Sequence, residues 1–192
     1  MLSSIHPLGE RARSNRWAVT ATAFTFGSIA AGGAIGAVLG WVGAPLAIPE
    51  EVALAIVGLT AIVAGGLDLV GVRAPGPTRQ VNERWIGTLR GTVYGFGFGA
   101  QLGAGVTTFV VTWTVWVVLI AELLSGSHVS GAIIGAVFGA GRTVAPLAAG
   151  WIDRPSRLGS FNSALASLAR PAHLSAAVGT ALVGVTAFWM GV

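Results

Sequence analysis

The sequence predicts an all-α integral membrane protein, a bundle of about five transmembrane helices, from three observations. Of its 192 residues, 54% are hydrophobic and only 9% are charged, and the mean hydropathy is +0.78. Soluble domains carry about 25% charged residues, so most of this chain must lie where charge is costly. Several apolar segments are long enough to cross a bilayer, and the loops between them alternate in charge.

The first sixteen residues are interpreted as a polar cytoplasmic leader, and residues 17–192 as one transmembrane domain. A spanning helix needs about 20 mostly apolar residues. Spans are therefore predicted at about 18–43, 52–72, 91–121, 130–151 and 172–191. The first apolar run is far longer than the core of a signal peptide, so we interpret it as a retained span.

The loop charges predict the orientation of the chain. All eleven basic residues are arginine, and ten of them fall in the leader or in alternate loops. These ten are Arg11, Arg13, Arg16, Arg73, Arg79, Arg84, Arg90, Arg154, Arg157 and Arg170. The other loops hold Glu50, Glu51, Glu122 and His128, and no arginine. The positive-inside rule then predicts a multi-pass protein of the cell membrane, with its N-terminus cytoplasmic and its C-terminus outside.

The third span is unusually long. Between Arg90 and Glu122 there are 31 residues without a charge, too many for one straight crossing. Two spans joined near Gly103 and Gly105 are an alternative, but they would place the arginines after the fourth span outside. We therefore expect one long, tilted or broken helix, with a break or kink at these two glycines, because glycine weakens helices.

A short helix is predicted to lie in the membrane interface before the last span, over about 156–170. Leu158, Phe161, Leu165 and Leu168 recur there at helical spacing, and polar residues cover the other faces.

An internal repeat is also visible. Phe24–Gly27 matches Phe96–Gly99, and Ala61–Asp68 resembles Ala136–Thr143, at offsets of 72 and 75 residues. Spans one and two and spans three and four are thus predicted to be duplicated hairpins of the same orientation. Chance similarity between Gly- and Ala-rich segments is the alternative.

Glycines recur at every fourth position in three of the spans. Such small-residue faces let helix backbones approach closely, so we expect tight packing within the bundle, with self-association as the alternative. The glycines are Gly32, Gly36 and Gly40, then Gly95, Gly99 and Gly103, and then Gly131, Gly135 and Gly139.

Arg142 is the one arginine that cannot be kept out of a span, and a central arginine costs at least about 2.5–3.5 kcal/mol. Asp68 is predicted as its counter-ion, because the repeat places the two at similar depth. Pro146 cannot donate to the carbonyl of Arg142, which predicts a kink and a free acceptor there. Arg142, Asp68 and the nearby Gln101 form a candidate intramembrane charge pair or solute site.

Several chemistries are excluded by composition. The chain has no cysteine, which excludes thiol redox relays, thiolate metal sites and c-type haem. It has no lysine, which excludes Schiff-base chemistry. The three histidines do not share a helix face, so no metal or cofactor site is predicted. No phosphate-binding loop or nucleic-acid surface is predicted either, and an enzyme is not expected.

One resemblance to a known family rests on the segment Gly95–Val106. Its Gly-Phe-Gly-Phe-Gly sequence resembles the stretch that opens a reactive helix in the CcdA / DsbD transmembrane family, and Phe24–Gly27 looks like a second copy. That family carries reducing equivalents across membranes with a cysteine in each repeat, usually beside proline. The corresponding stretches here, 27–36 and 99–108, contain neither residue. The resemblance therefore implies a transporter-like scaffold without thiol chemistry.

Two functions remain as hypotheses. The first is a non-catalytic subunit of a larger membrane complex, in which Trp113 and Trp116 face lipid or a partner. The second is a small-solute or ion transporter or channel that works through Arg142, Asp68 and Gln101. The expected partners are the lipid bilayer and either other membrane subunits or further copies of this chain.

Overall fold

The computed structural model describes residues 5–77, 84–107 and 110–192, and in these ranges the chain forms helices and no strand. The helices are α1 Pro7–Ala12, α2 Trp17–Gly43, α3 Glu50–Leu69, α4 Arg84–Thr88, α5 Gly91–Gly103, α6 Thr114–Leu124, α7 His128–Gly141, α8 Val144–Ala148 and α9 Pro155–Gly191. Two 3₁₀ turns, Ala44–Leu46 and Ala149–Trp151, follow α2 and α8.

Four described helical segments are long and apolar enough to cross a membrane, which agrees with the predicted fold class. They are Trp17–Leu46, Glu50–Leu69, His128–Trp151 and Pro155–Gly191. The five-span prediction counted a further apolar segment, 91–121, which the structure builds differently. The predicted fourth span, 130–151, is also interrupted, because α7 ends at Gly141 and α8 begins at Val144.

Helix α2 is the centre of the bundle and packs against α5 and α7. A Cβ atom on Gly99 would overlap the backbone carbonyl of Phe24, and one on Gly103 would overlap that of Ser28, so α5 runs parallel to α2. On another side of α2, Gly36 lies against the carbonyl of Gly131. Glycine at these positions therefore brings backbone against backbone within the chain, as the four-residue spacing predicts.

Helices α2 and α7 are antiparallel, and α3 and α9 form a second antiparallel pair. Gly58 lies against Gly184, while Gly65 near the end of α3 lies against Ala177. Helix α3 packs much more against α9 and α6 than against α2, its neighbour in sequence. The first predicted hairpin, spans one and two, is therefore not a closely packed unit.

Helix α9 is one continuous helix of 37 residues. The prediction of a separate interfacial helix at 156–170, followed by a span at 172–191, was wrong about this boundary. Pro171 lies inside the helix. It removes one hydrogen bond to the carbonyl of Ser167, and the helix continues past it because proline fixes φ near a helical value.

The predicted third span is broken into α5 and α6. Helix α5 lies beside the first half of α2, and α6 reaches the far end of α2, where Leu123 packs against Gly43. The two short helices follow α2 in the same direction, so the segment is discontinuous but does not fold back on itself. The alternative of two spans folded back on each other does not describe this arrangement.

The N-terminal leader is also more ordered than a polar extension. Residues 7–12 form α1, with the His6 side chain accepting a hydrogen bond from the backbone N–H of Gly9 at 3.3 Å. Glu10 of this helix is fully buried. The described part of the leader is therefore packed onto the bundle.

Candidate functional site

The break between α5 and α6, residues 104–113, is the most irregular part of the bundle, and its described residues are 104–107 and 110–113. Helix α5 ends at Gly103, and Gly105 has a φ of +74°. A side chain is strained in this left-handed conformation. A Cβ atom on Gly105 would also lie 3.2 Å from the ring of Phe138 and 3.3 Å from Val115. Glycine at 105 thus lets the chain turn closely against α6 and α7.

Asp68, in the last turn of α3, binds the backbone at the C-terminal end of the break. Its carboxylate oxygens accept the backbone N–H of Trp113 at 3.1 and 3.2 Å, and the residue is only 3% exposed. Trp113 precedes the first residue of α6, where unpaired N–H groups and the helix dipole favour negative charge. The last turn of α3 therefore supplies a charged cap for α6. The imidazole of His173 also contacts the carbonyl oxygen of Asp68 at 3.1 Å.

Two tryptophans tie the start of α6 to the segment after α3. The indole N–H of Trp113 donates to the carbonyl of Val72, and that of Trp116 donates to the carbonyl of Pro75, both at 2.9 Å. Both indole donors therefore bind this chain itself. Both side chains are only partly buried, and that they face lipid or a partner stays a prediction.

Arg142 lies on the other side of the break. It caps the C-terminus of α7, and its guanidinium carbon lies 5.3 Å from the centre of the Phe138 ring. The same ring packs against the buried Val110 and Val115 next to the break. Arg142 is half-buried, and within the described ranges no carboxylate lies within 4 Å of it.

The structure does not bring Asp68 and Arg142 together as an ion pair, contrary to the prediction. The carboxylate of Asp68 is engaged with Trp113 on the α3 side, whereas Arg142 covers Phe138 on the α7 side. Asp68 contacts the break through Trp113, and Arg142 lies over Phe138, whose ring packs next to the break. The sequence could place both at similar depth but could not show that a helix terminus takes the carboxylate.

The remaining predicted site residues also lie near interruptions of the helices. The backbone carbonyl of Gln101 accepts a hydrogen bond from the Thr107 hydroxyl at 2.6 Å, which closes the turn into the break. Pro146 is buried in α8, and the helix is interrupted before it at Arg142 and Thr143. The Thr143 hydroxyl donates to the carbonyl of Ala140 at 2.7 Å.

Glu122 is a buried acid that the sequence analysis placed in an outer loop. The structure places it inside α6, only 2% exposed, between α2 and α7. The turn residues Ser125 and Gly126 follow it by three and four positions. That spacing was the available signal that the helix continues past Glu122.

A second buried polar cluster surrounds Glu10. Its carboxylate accepts hydrogen bonds from the Tyr94 hydroxyl, from Thr20 at 2.8 Å and from Arg13 at 2.7 Å. Burial acts to raise the pKa of Glu10, but these hydrogen bonds outweigh it and hold the pKa below its usual value. The cluster links α1 to α2 and α5 through side-chain hydrogen bonds, and we interpret its role as structural.

Two kinds of polar group lie near the break. Arg142 supplies guanidinium donors, while the end of α5 supplies backbone carbonyls. Among the residues that the structure describes, no group of three or more His, Asp or Glu side chains could hold a metal ion. No known protein family, no curated protein and no solved structure matches this chain.

Proposed function

We propose that the protein is a multi-pass protein of the cell membrane that moves a small solute or ion through the bilayer. Its four long apolar helices, together with the discontinuous pass of α5 and α6, make five crossings. The alternation of arginine-rich and arginine-free loops supports a cytoplasmic N-terminus and an outer C-terminus. The role is non-catalytic.

The observation that carries the transport proposal is the break in the third pass. Irregular backbone at membrane depth is tolerated only where protein or a water-filled cavity satisfies its polar groups. Transporters use half-helix ends of this kind to bind substrates near the middle of the membrane. Here Asp68 contacts the end of the break through Trp113, and Arg142 lies over the Phe138 ring, which is close to Gly105 at its start.

The two charged residues have different roles in this proposal. Asp68 fixes the N-terminus of α6 and keeps the break in place. Arg142 has no carboxylate partner within the described ranges, so its guanidinium is the group that would contact a passing anion or polar solute. Gln101 closes the first turn of the same site.

The test measures chloride and proton flux in liposomes that contain the purified protein. Arg142→Leu is expected to lower the flux at least about tenfold, because losing a charged donor costs about 1.5–3 kcal/mol. Arg170→Leu is the matched control, since Arg170 is exposed on α9, and it should keep the wild-type rate. Equal flux in wild type and Arg142→Leu, with both proteins folded, rules out Arg142 as part of the pathway.

A second candidate function is that of a non-catalytic subunit in a larger membrane complex. The first half of α9, residues 155–172, is largely exposed and extends beyond the part that packs on α3. Native mass spectrometry of gently extracted protein tests this candidate. A defined hetero-complex supports a subunit, and a lone monomer or homo-oligomer supports transport.

The resemblance to the CcdA / DsbD family fits the transport proposal in one respect. A scaffold of that kind could carry a solute at its broken helix without the cysteines that carry electrons in the family. The flux measurement tests this scaffold role directly.

A further inference from the structure

Glu122 is a buried acid without a counter-charge. Its side chain points between α2 and α7, where a Cβ atom on Gly135 would lie 2.8 Å from Oε1 and one on Gly36 would lie 3.3 Å from Cδ. The oxygen Oε2 is buried and has no hydrogen-bond partner. The absence of side chains at Gly36 and Gly135 leaves space for the carboxyl group of Glu122. Neither glycine offers a positive charge to balance it.

The helices packed on α6 offer little charge. Helix α2 has no ionisable side chain, and α7 has only the exposed His128. Helix α3 contributes Glu50 and Glu51 at its exposed N-terminus and Asp68 at the other end of α6. Arg142 lies at the far end of α7 from His128.

An ionised carboxylate in this position is strongly unfavourable. Moving an unpaired charge from water to an apolar interior is costly, and carboxyl groups in such places take up a proton instead. A metal ion does not fit as the alternative. A hard cation such as Ca²⁺ takes about 6–8 oxygen ligands, and the described part of the chain provides no acidic cluster around Glu122.

Water can come close to this acid from one end of the bundle. A cleft of about 560 Å³ lies between the loop after α2, α3, α6 and the start of α7. Glu50, Ala121 and Ser125 are among its lining residues. Ala121 and Ser125 flank Glu122 in the same turns of α6, so the cleft lies on the adjacent face of that helix.

We propose that Glu122 is a proton-binding site, protonated while α2, α6 and α7 are closed around it and exchanging its proton through this cleft. The proposal stands on the unpartnered buried oxygen, the uncharged helices around it and the neighbouring cleft. It does not depend on whether the break at 104–113 conducts a solute.

The experiment measures the protonation state of Glu122 at neutral pH. Infrared spectra of wild type with ¹³C-labelled glutamate are compared with those of Glu122→Gln. The wild type should show a protonated carboxyl band that is lost in the variant. Glu50→Gln is the matched control and should keep the band, since Glu50 is exposed. An ionised spectrum for every glutamate of the wild type overturns the proposal.

A chemical probe gives a second readout that needs no variant. Dicyclohexylcarbodiimide adds to a protonated carboxyl group in apolar surroundings, without a leaving group, and the adduct rearranges to a stable N-acylurea. Mass spectrometry should find this adduct on Glu122, in an amount that falls as the pH rises. Protection by Na⁺ or Ca²⁺ would identify a metal-ion site and overturn the proton assignment, as would an unmodified Glu122 at every pH.

Discussion

Glu10 fastens the short helix α1 to the arginine-rich end of the bundle. Its carboxylate is completely buried and accepts three side-chain hydrogen bonds, of which two come from α2 and α5. A buried carboxylate that keeps its partners stabilises the folded state, whereas loss of one partner leaves the others unsatisfied.

The stability contributed by Glu10 should depend on pH. Because its pKa is lowered in the folded state, the contribution is fully present above the unfolded pKa and is lost as the pH falls through the folded pKa. Glu10→Gln is expected to cost about 1–3 kcal/mol at neutral pH, measured by thermal unfolding in detergent. The difference between the wild type and the variant should shrink as the pH falls below the unfolded pKa of Glu, about 4.3, and disappear below the lower folded pKa. A constant difference down to the most acidic pH would contradict this linkage.

At the residue scale, hydropathy predicted the class of the protein but misplaced two of its acids. Glu10 was assigned to a solvated leader and Glu122 to an outer loop, because a charge near a segment boundary is ordinarily exposed. Their burial depends on contacts across the fold. Tyr94 is 84 residues from Glu10, and three other helices lie between Gly36 and Glu122 in the sequence. No local pattern reports such partners.

At the element scale, glycine determines which helices lie together. Gly36 meets the carbonyl of Gly131 directly, and Gly66 in α3 has no atom within 4 Å of the position where its Cβ would lie. The four-residue spacing therefore predicts close packing, but it does not identify the partner helix.

This pair of glycines gives a matched comparison. Gly36→Ala should destabilise the protein by about 1–3 kcal/mol, because the new methyl group displaces the α7 backbone. Gly66→Ala should be neutral or stabilising by up to about 1 kcal/mol, because alanine favours the helix and meets no neighbour. Thermal unfolding of both variants in the same detergent measures the difference. Equal effects would mean that α2 and α7 are not in backbone contact.

The limits of sequence reasoning also differ between elements. The break was expected near Gly103 and Gly105, because these glycines weaken a segment too long for one crossing. The extent of α9 was not expected, because apolar residues at helical spacing among polar ones over 156–170 indicated a separate interfacial helix. A proline within a helix costs only one backbone hydrogen bond and a local kink when neighbouring turns continue.

At the scale of the whole molecule, the arginine pattern and the helix directions agree. The beginnings of α2, α5 and α9 lie at one end of the bundle, with the end of α7. Nearly all arginines belong to this end, and Glu50, Glu51 and His128 belong to the opposite end. The direction of each helix follows from packing, whereas the orientation in a membrane stays a prediction of the positive-inside rule.

Single introduced cysteines can test this orientation by labelling. Because the chain has no cysteine of its own, no other residue of the protein would react with the thiol reagent. His128 and Ser163 are exposed and lie at opposite ends. In intact cells, a membrane-impermeant maleimide should label His128→Cys. It should label Ser163→Cys only after the membrane is opened. Labelling of both residues from the same side would show that the predicted orientation is wrong.

The connection of α6 has a mechanical consequence. The pair α3–α9 packs on the remaining helices chiefly through α6, while α5 belongs with α2. Asp68 joins α3 to the first residues of α6, so a tilt of that pair would act on α6, which also packs on α2 and α7. The described residues 104–107 and 110–113 would then lie at the joint of a lever, with α9, about 55 Å long at its 37 residues, as the arm. A force on the exposed half of α9 would open or close this joint.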